Sequence, residues 1–403
     1  MGGEYVAAPC ESLEALLSPI EPARFLQEYY FRAPVHIPGD VLRFSRLLSW
    51  EGLNRAMTRQ RPRRPPLRLA KDGKLIPQEQ FATRETNAAG DLWRADFRVV
   101  RRLLEAGATI VVDRIDETHE PLGDFCRMLE WELGSYVFAD AFASWHNTRG
   151  FPTHWDPEQV FVVQLIGTKR WRLLKPERLH PTQQDKARHD RPPTQVYWEG
   201  ELKAGDVLYI PGGWWHDALA VDGRSLHVAF SLFAATGLTA MNALLRELQE
   251  DELARAPLPR FASEAEQQDY MRRLLDAVEA RMRGCTVKSV LEKIDVRAAA
   301  RNRLSMPWSW GSETEAIPGH AWVHWLPPRP VALSEAGAEF SFQAIGGRFA
   351  FEIDYLPVFR DLIGHRKSSV SDLCSRYGHL PVEKILLQLV HLGLVAIADD
   401  AVI

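Results

Sequence analysis

GFPTHWDPEQVFVVQLIGTKRWRLLKP, residues 150–176, is the stretch on which the reading of this chain turns. Its run FVVQLI (161–166) is short, rich in branched apolar residues and stopped by Gly167, the pattern of a β-strand. Just ahead of it stands the triplet His154-Trp155-Asp156. On an extended chain residues i and i+2 share a face, so the imidazole and the carboxylate are expected to point the same way. Such a triplet is weak by itself, because most are incidental. A second stretch gives it weight.

That stretch is GDVLYIPGGWWHDA, residues 205–218. Gly205-Asp206 turns the chain into the apolar strand VLYI, and Pro211-Gly212-Gly213 bends it tightly enough to aim His216 back toward a barrel mouth. A hydrogen-bonded core histidine is the plainer alternative for His216, but it leaves the Pro-Gly-Gly bend unexplained. Two histidines and one carboxylate with open positions opposite form the facial triad suited to Fe(II). A zinc hydrolase with water as fourth ligand is the competing reading. Lys169 lies 15 residues after His154, near enough in a barrel to reach the same cavity. A lysine facing inward among Val, Leu and Trp needs an anion, and the distal carboxylate of 2-oxoglutarate would be one. The alternative puts Lys169 on an exposed turn. Arg170 and Arg172 then face the other way.

Around these stretches the chain divides by texture. Its 403 residues exceed what one core usually holds, so two or three domains are expected. An apolar share of 46% with 25% charged residues excludes global disorder. The formal charge of 49 − 53 = −4 excludes a chain that grips nucleic acid by bulk charge. Four cysteines, at 10, 126, 285 and 374, show no metal or disulfide spacing. The start, MGGEYVAAPCESLEALL, has no basic stretch leading into an apolar run, and no segment is long enough to span a membrane. A cytoplasmic protein is expected.

The expected architecture is α+β. Residues 1–236 form a catalytic domain with a helical N-terminal part; its core barrel, about 134–233, consists of short strands such as YVFADAF and SLHVAFSLF. The polar insert 176–198 reads as a surface excursion. Residues 237–305 turn helical, with Ser263 and Glu266 as a capping box, and suit a dimerisation module or a packed satellite. Residues 306–403 combine EFSFQA, a Gly346-Gly347 turn, RFAFEI and two helices, which reads as a winged-helix-like domain. Its end holds one Lys and no Arg from Pro381 onward, so direct DNA binding is not expected. Segment 55–74 carries eight basic residues against one acid, a solvated loop or a weak RNA contact.

The two stretches together, with SLHVAFSL (225–232), resemble the JmjC/cupin 2-oxoglutarate oxygenases, and within them the ribosomal oxygenase branch of protein hydroxylases. FLQEYYFRAPVHIPG (25–39) and RLSMPW (303–308) extend the resemblance weakly, and the order of JmjC barrel, helical dimerisation module and winged-helix-like domain matches. It implies a double-stranded β-helix in which His154, Asp156 and His216 hold Fe(II) and Lys169 binds 2-oxoglutarate. Ser144 corresponds to a hydroxyl that assists the same carboxylate. O₂ is the second cosubstrate, and hydroxylation of a protein side chain, in a ribosomal protein or another target, accompanies loss of CO₂ and formation of succinate. Asp140 stands where relatives often have an amide, a departure in the cosubstrate contacts. Trp145, His146, Trp155 and Trp214 are candidates for a channel wall or for packing. A precursor peptide or small metabolite as substrate, and a non-catalytic cupin binding module, are the alternatives. A homodimer is implied.

Overall fold

The computed structural model describes residues 12–58, 67–87, 90–145, 149–188, 191–301, 305–306, 308 and 316–398. The chain separates into two compact units at Ala234/Ala235.

The first unit opens with α1 (Leu13–Leu17), α2 (Pro22–Glu28), β1 (Val35–Ile37) and α3 (Trp50–Thr58). Next come β2 (Arg68–Lys71), β3 (Lys74–Leu75), the hairpin β4 (Ala82–Asn87) and β5 (Gly90–Ala95), α4 (Phe97–Glu105), β6 (Thr109–Val112) and α5 (Glu120–Leu133). The barrel strands are β7 (Tyr136–Ser144), β8 (Gln159–Leu174), β9 (Val196–Leu202), β10 (Val207–Ile210) and β11 (Trp215–Phe233). The Ser12 hydroxyl accepts from Ala15 N and starts α1, and Pro22 sits in the first turn of α2, where its missing N–H costs nothing.

Two long strands organise the unit. The sheet order is β1-β10-β8-β11-β7-β6-β2-β3, with β9 on the other part of β8, and the pairings are antiparallel. Val160–Val163 of β8 lie between β10 and the late part of β11, whereas Lys169–Leu174 lie between β9 and the early part of β11. Each long strand therefore passes from one sheet to the facing one. The crossing is marked by a register shift between Val221 and Leu226 and by Gly167 at φ +71°. A Cβ on Gly167 would meet the Arg224 carbonyl oxygen at 2.0 Å, so only glycine fits there.

Alternation along β8 explains its continuous apolar sequence. Phe161, Val163 and Leu165 join the core that includes Leu16, Phe25, Phe125 and Leu129 of the flanking helices. Val160, Val162, Trp171 and Leu173 face the barrel interior with Leu208, Ile210 and Trp214. Burial on both faces leaves no polar side for the run to display.

The second unit contains α6 (Gly237–Glu247), α7 (Glu252–Arg255), α8 (Glu264–Met282) and α9 (Val287–Asp295). It continues with β12 (Trp322–Trp325), β13 (Ser334–Ala336), β14 (Glu339–Ala344), β15 (Gly347–Glu352), α10 (Leu356–His365), β16 (Lys367–Ser369), α11 (Val370–Arg376), α12 (Val382–His391) and β17 (Val395–Ala398). The capping box of Ser263 and Glu266 is present. Strands β13-β14-β15 form a meander and β16-β12-β17 a second small sheet; Phe342 stacks on Phe351, and Phe359 meets Phe340 edge-on and Phe351 at a tilt.

The structure departs from expectation in several places. The run FVVQLI does not stop at Gly167: β8 passes through it as one 16-residue strand. His154 and Asp156 do not share a regular strand, since only an isolated bridge joins His154 to His216. The β14–β15 turn is Ile345-Gly346, both at positive φ, with Gly347 already paired to Ala344. Segment 55–74 is not loop throughout: its first residues, Arg55 to Thr58, belong to α3 and Arg68–Lys71 pair with β3 and β6, while residues 59–66 lie outside the described chain. Residues 302–304, 307 and 399–403 likewise lie outside it, including part of RLSMPW and the acidic end.

Candidate metal centre

His216 is the second residue of β11, and its neighbour in space is the loop that carries His154. The two backbones exchange hydrogen bonds, His154 N to His216 O at 3.0 Å and His216 N to His154 O at 2.7 Å. On the outer face Thr153 Oγ1 donates to Asp217 at 2.7 Å, and Asp217 also receives Arg172 at 2.6 Å. The Pro-Gly-Gly bend presses on the Asp156 side: Gly213 N donates to Asp156 O at 2.7 Å, and a Cβ on Gly212 would meet the Pro157 carbonyl at 2.4 Å. These contacts bring two sequence-distant segments to one point.

At that point the ligand atoms of His154, Asp156 and His216 lie within 4.8 Å of one another. Asp156 Oδ2 is 3.7 Å from Nε2 of each histidine. The Nδ1 of His154 is 2.8 Å from Pro152 O, and that of His216 is 3.0 Å from Trp214 O. A carbonyl only accepts, so each Nδ1 carries the hydrogen and each Nε2 offers a lone pair to the shared space. Burial, reinforced by the neighbouring His154, pushes His216 down to about 4, so it is neutral at pH 7. For Asp156 burial acts upward, but His154, His216 and Lys186 outweigh it and hold the carboxyl below its usual value. A neutral imidazole at His216 and an ionised carboxylate at Asp156 are protonation states that suit a divalent cation.

Deeper in the barrel Lys169, only 5% exposed, lies across from Ala220 on β11 and Leu202 on β9. Its ammonium is 3.5 Å from His227 Nδ1, and burial lowers it to about 7. Among the described residues no carboxylate pairs with it. His227 is buried, stacked on Phe142 at 4.8 Å and edge-on to Trp171, and is held well below its usual value by burial and then by Lys169. Ser144 is buried, across from Ser225, and its hydroxyl is 2.9 Å from that of Thr109. A buried lysine without a carboxylate partner is a cationic donor that an anion can satisfy.

The remaining residues singled out from sequence fall in different places. Asp140 accepts from Arg114 N at 2.7 Å, and burial raises its carboxyl to about 7. Trp214 packs in the barrel core and edge-on to Tyr197, while Trp145 rests on Trp50. His146 lies outside the described residues. Arg170 and Arg172 face outward, as expected, and pair with Glu201 and Asp217. Insert 176–198 is not a remote excursion: its helical turn Gln183–Arg188 brings Lys186 to Asp156 and Gln183 to Glu158. His227, Thr109 and Lys186 were not legible in sequence. Each lies far along the chain from the motif it serves, and only strand register or loop packing brings it in.

A JmjC-domain family model matches residues 117–240. Ribosomal oxygenase 2 of Mus musculus is 26% identical over 270 residues, covering 63% of this chain and 55% of that protein. The bifunctional lysine-specific demethylase and histidyl-hydroxylase NO66 of Dictyostelium discoideum is 32% identical over 112 residues, covering 27% and 22%. The chain thus spans about half the length, or less, of these curated relatives. Among solved structures, YcfD, a ribosomal oxygenase from Escherichia coli in complex with cobalt and 2-oxoglutarate, aligns with a TM-score of 0.58 at 17% identity, covering 94% of this chain and 99% of that one. At that identity the likeness speaks to the JmjC/cupin fold. Segment 117–240 is therefore a JmjC domain, carried by a chain whose relatives include the ribosomal oxygenases.

Proposed function

We propose that the protein is an Fe(II)- and 2-oxoglutarate-dependent oxygenase that hydroxylates an amino-acid side chain of a protein substrate, with ribosomal proteins as the first class to test. One observation carries the reading: a two-histidine, one-carboxylate cluster within 4.8 Å sits in the same barrel as a buried lysine that no described carboxylate pairs with. Three ligands leave three positions of an octahedral ion open, which suits iron that must take a chelating cosubstrate and O₂ better than four-coordinate zinc. When bound, iron would let O₂ act as the oxidant for C–H hydroxylation, one oxygen atom going to the substrate and the other to succinate as 2-oxoglutarate gives up two electrons and CO₂.

The chain's own residues do the rest. His154, Asp156 and His216 hold the metal; the Pro152 and Trp214 carbonyls fix the imidazole tautomers. Lys169 takes the far carboxylate of 2-oxoglutarate, helped by Ser144, while Val162, Trp171 and Leu173 keep that end dry. The relatives' names favour a protein target over a precursor peptide or small metabolite.

Around this centre we place a homodimer built on residues 237–305, with residues 306–403 as a winged-helix-like domain. The 19-residue helix α8 has no buried residue, and Phe261 before it is 96% exposed. A helix whose apolar stripe, Tyr270, Leu274, Ala277 and Val278, is only half-buried, with Leu275 exposed, offers a surface to a partner. Among the described residues no helix is long and apolar enough to cross a membrane, and we place the protein in the cytoplasm.

The test is turnover. Purified protein given Fe(II), 2-oxoglutarate and O₂ is expected to form succinate slowly even without substrate, and His154→Ala to abolish it. A wild-type protein that binds neither iron nor 2-oxoglutarate would leave only the non-catalytic binding module.

A further inference from the structure

Lys186 lies 30 residues beyond Asp156, in the insert, yet its ammonium is 3.0 Å from Asp156 Oδ1. The other oxygen, Oδ2, is the one 3.7 Å from both histidine Nε2 atoms. The two carboxylate oxygens are thus divided between two tasks. The insert that delivers Lys186 is tied down independently of this contact. Thr182 N and Oγ1 donate to Asp185 at 2.8 and 2.9 Å, Gln183 Nε2 donates to Glu158, and the Pro181 ring packs so close to Gly213 that a Cβ there would be 2.9 Å from it. Arg178 pairs with Asp185 at 3.2 Å. The strap is anchored on both stretches that carry the ligands.

We propose that Lys186 is a positioning residue for the metal carboxylate: it occupies Oδ1 so that Asp156 binds through Oδ2 alone. The inference rests on the metal reading above. Its chemical consequence is a count of positions. A carboxylate free to turn can chelate and take two positions of an octahedral ion; with two imidazoles, two positions would then be left instead of three. A charge-assisted hydrogen bond to Oδ1 opposes that rotation. The ammonium's positive charge works against cation binding, but Lys186 is 42% exposed at the side chain, so solvent screens the longer-range repulsion more than the direct hydrogen bond.

Co(II) alone is the probe, titrated into metal-free full-length protein and followed by calorimetry and by the d–d absorption bands. Wild type is expected to bind one Co(II) per chain and His154→Ala to lose it. Lys186→Met is expected to bind about 10–100-fold more weakly, the usual effect of losing a group that supports a ligand, with altered d–d bands. Lys186→Arg, which keeps the cationic donor, is expected to restore both. Lys186→Gln serves as a second neutral variant, and circular dichroism checks each fold. Folded neutral variants that bind Co(II) as tightly as wild type, or more tightly, with unchanged bands overturn the proposal and leave the metal site standing. No Co(II) uptake by wild type overturns the metal reading itself.

Discussion

Lys169 shows how one buried side chain sets a condition on chemistry. Burial lowers it to about 7, so above neutrality the ligand-free protein holds a neutral amine. Between that value and lysine's ordinary one, the unfolded chain binds a proton that the folded chain lacks, so this group's cost to stability relaxes as pH rises. A carboxylate bound beside it restores the charge and reverses the balance. 2-Oxoglutarate affinity of the Mn(II)-loaded protein should therefore fall by up to about tenfold per pH unit above 7, with uptake of one proton. Calorimetry in two buffers of different ionisation heat measures this; a pH-independent affinity with no proton uptake would remove Lys169 from the carboxylate site. Lys169→Ala should chiefly weaken 2-oxoglutarate while leaving Mn(II) bound. The sequence carried Lys169 because it stands in a strand next to the metal motif; His227, beneath it, had no such marker and reads as any core histidine.

At the scale of elements, the site depends on two strands that change sheets. Gly167 and the irregularity at Val221–Leu226 lie side by side at the crossing, with Gly167 in a backbone conformation that other residues adopt at a cost. Gly167→Ala adds that strain to a collision with the Arg224 carbonyl, and should destabilise the first unit by about 2–4 kcal/mol. Urea unfolding followed by tryptophan fluorescence is the measurement; a loss below about 0.5 kcal/mol would show that the crossing can relax. Strand identity was readable here because apolar runs and turn residues alternate at short range. Strand continuity was not: glycine ends a strand in most settings, and only the pairing of both halves of β8 with β11 shows that it does not here. The same limit applies to the His154–Asp156 segment. The expected alternation along a strand gave way to a loop, and the two side chains meet because the Pro211–Gly213 bend and the His216 backbone hold that loop in place.

For the whole molecule the open matter is how the second unit is used. Leu238, Leu245, Leu258, Phe261 and Leu275 are all exposed within residues 237–305. Light scattering at micromolar concentration should give twice the 45.8 kDa chain mass, and Leu275→Asp with Phe261→Asp should halve it without loss of helicity. A monomeric wild type would sink the dimer. The overall charge of −4 set limits on bulk nucleic-acid binding and nothing finer, since a summed charge carries no position. By itself the sequence singled out two histidines and a carboxylate as candidate ligands, Lys169 as a candidate inward lysine, and the succession of barrel, helices and mixed C-terminal part, because periodicity, turn residues and donor chemistry are local properties. Tertiary structure alone decided which atoms converge: His227 under Lys169, Thr109 beside Ser144 and Lys186 on Asp156. Those pairings depend on strand register and on where a loop comes to rest, and both are fixed by the packing of segments far apart in the chain.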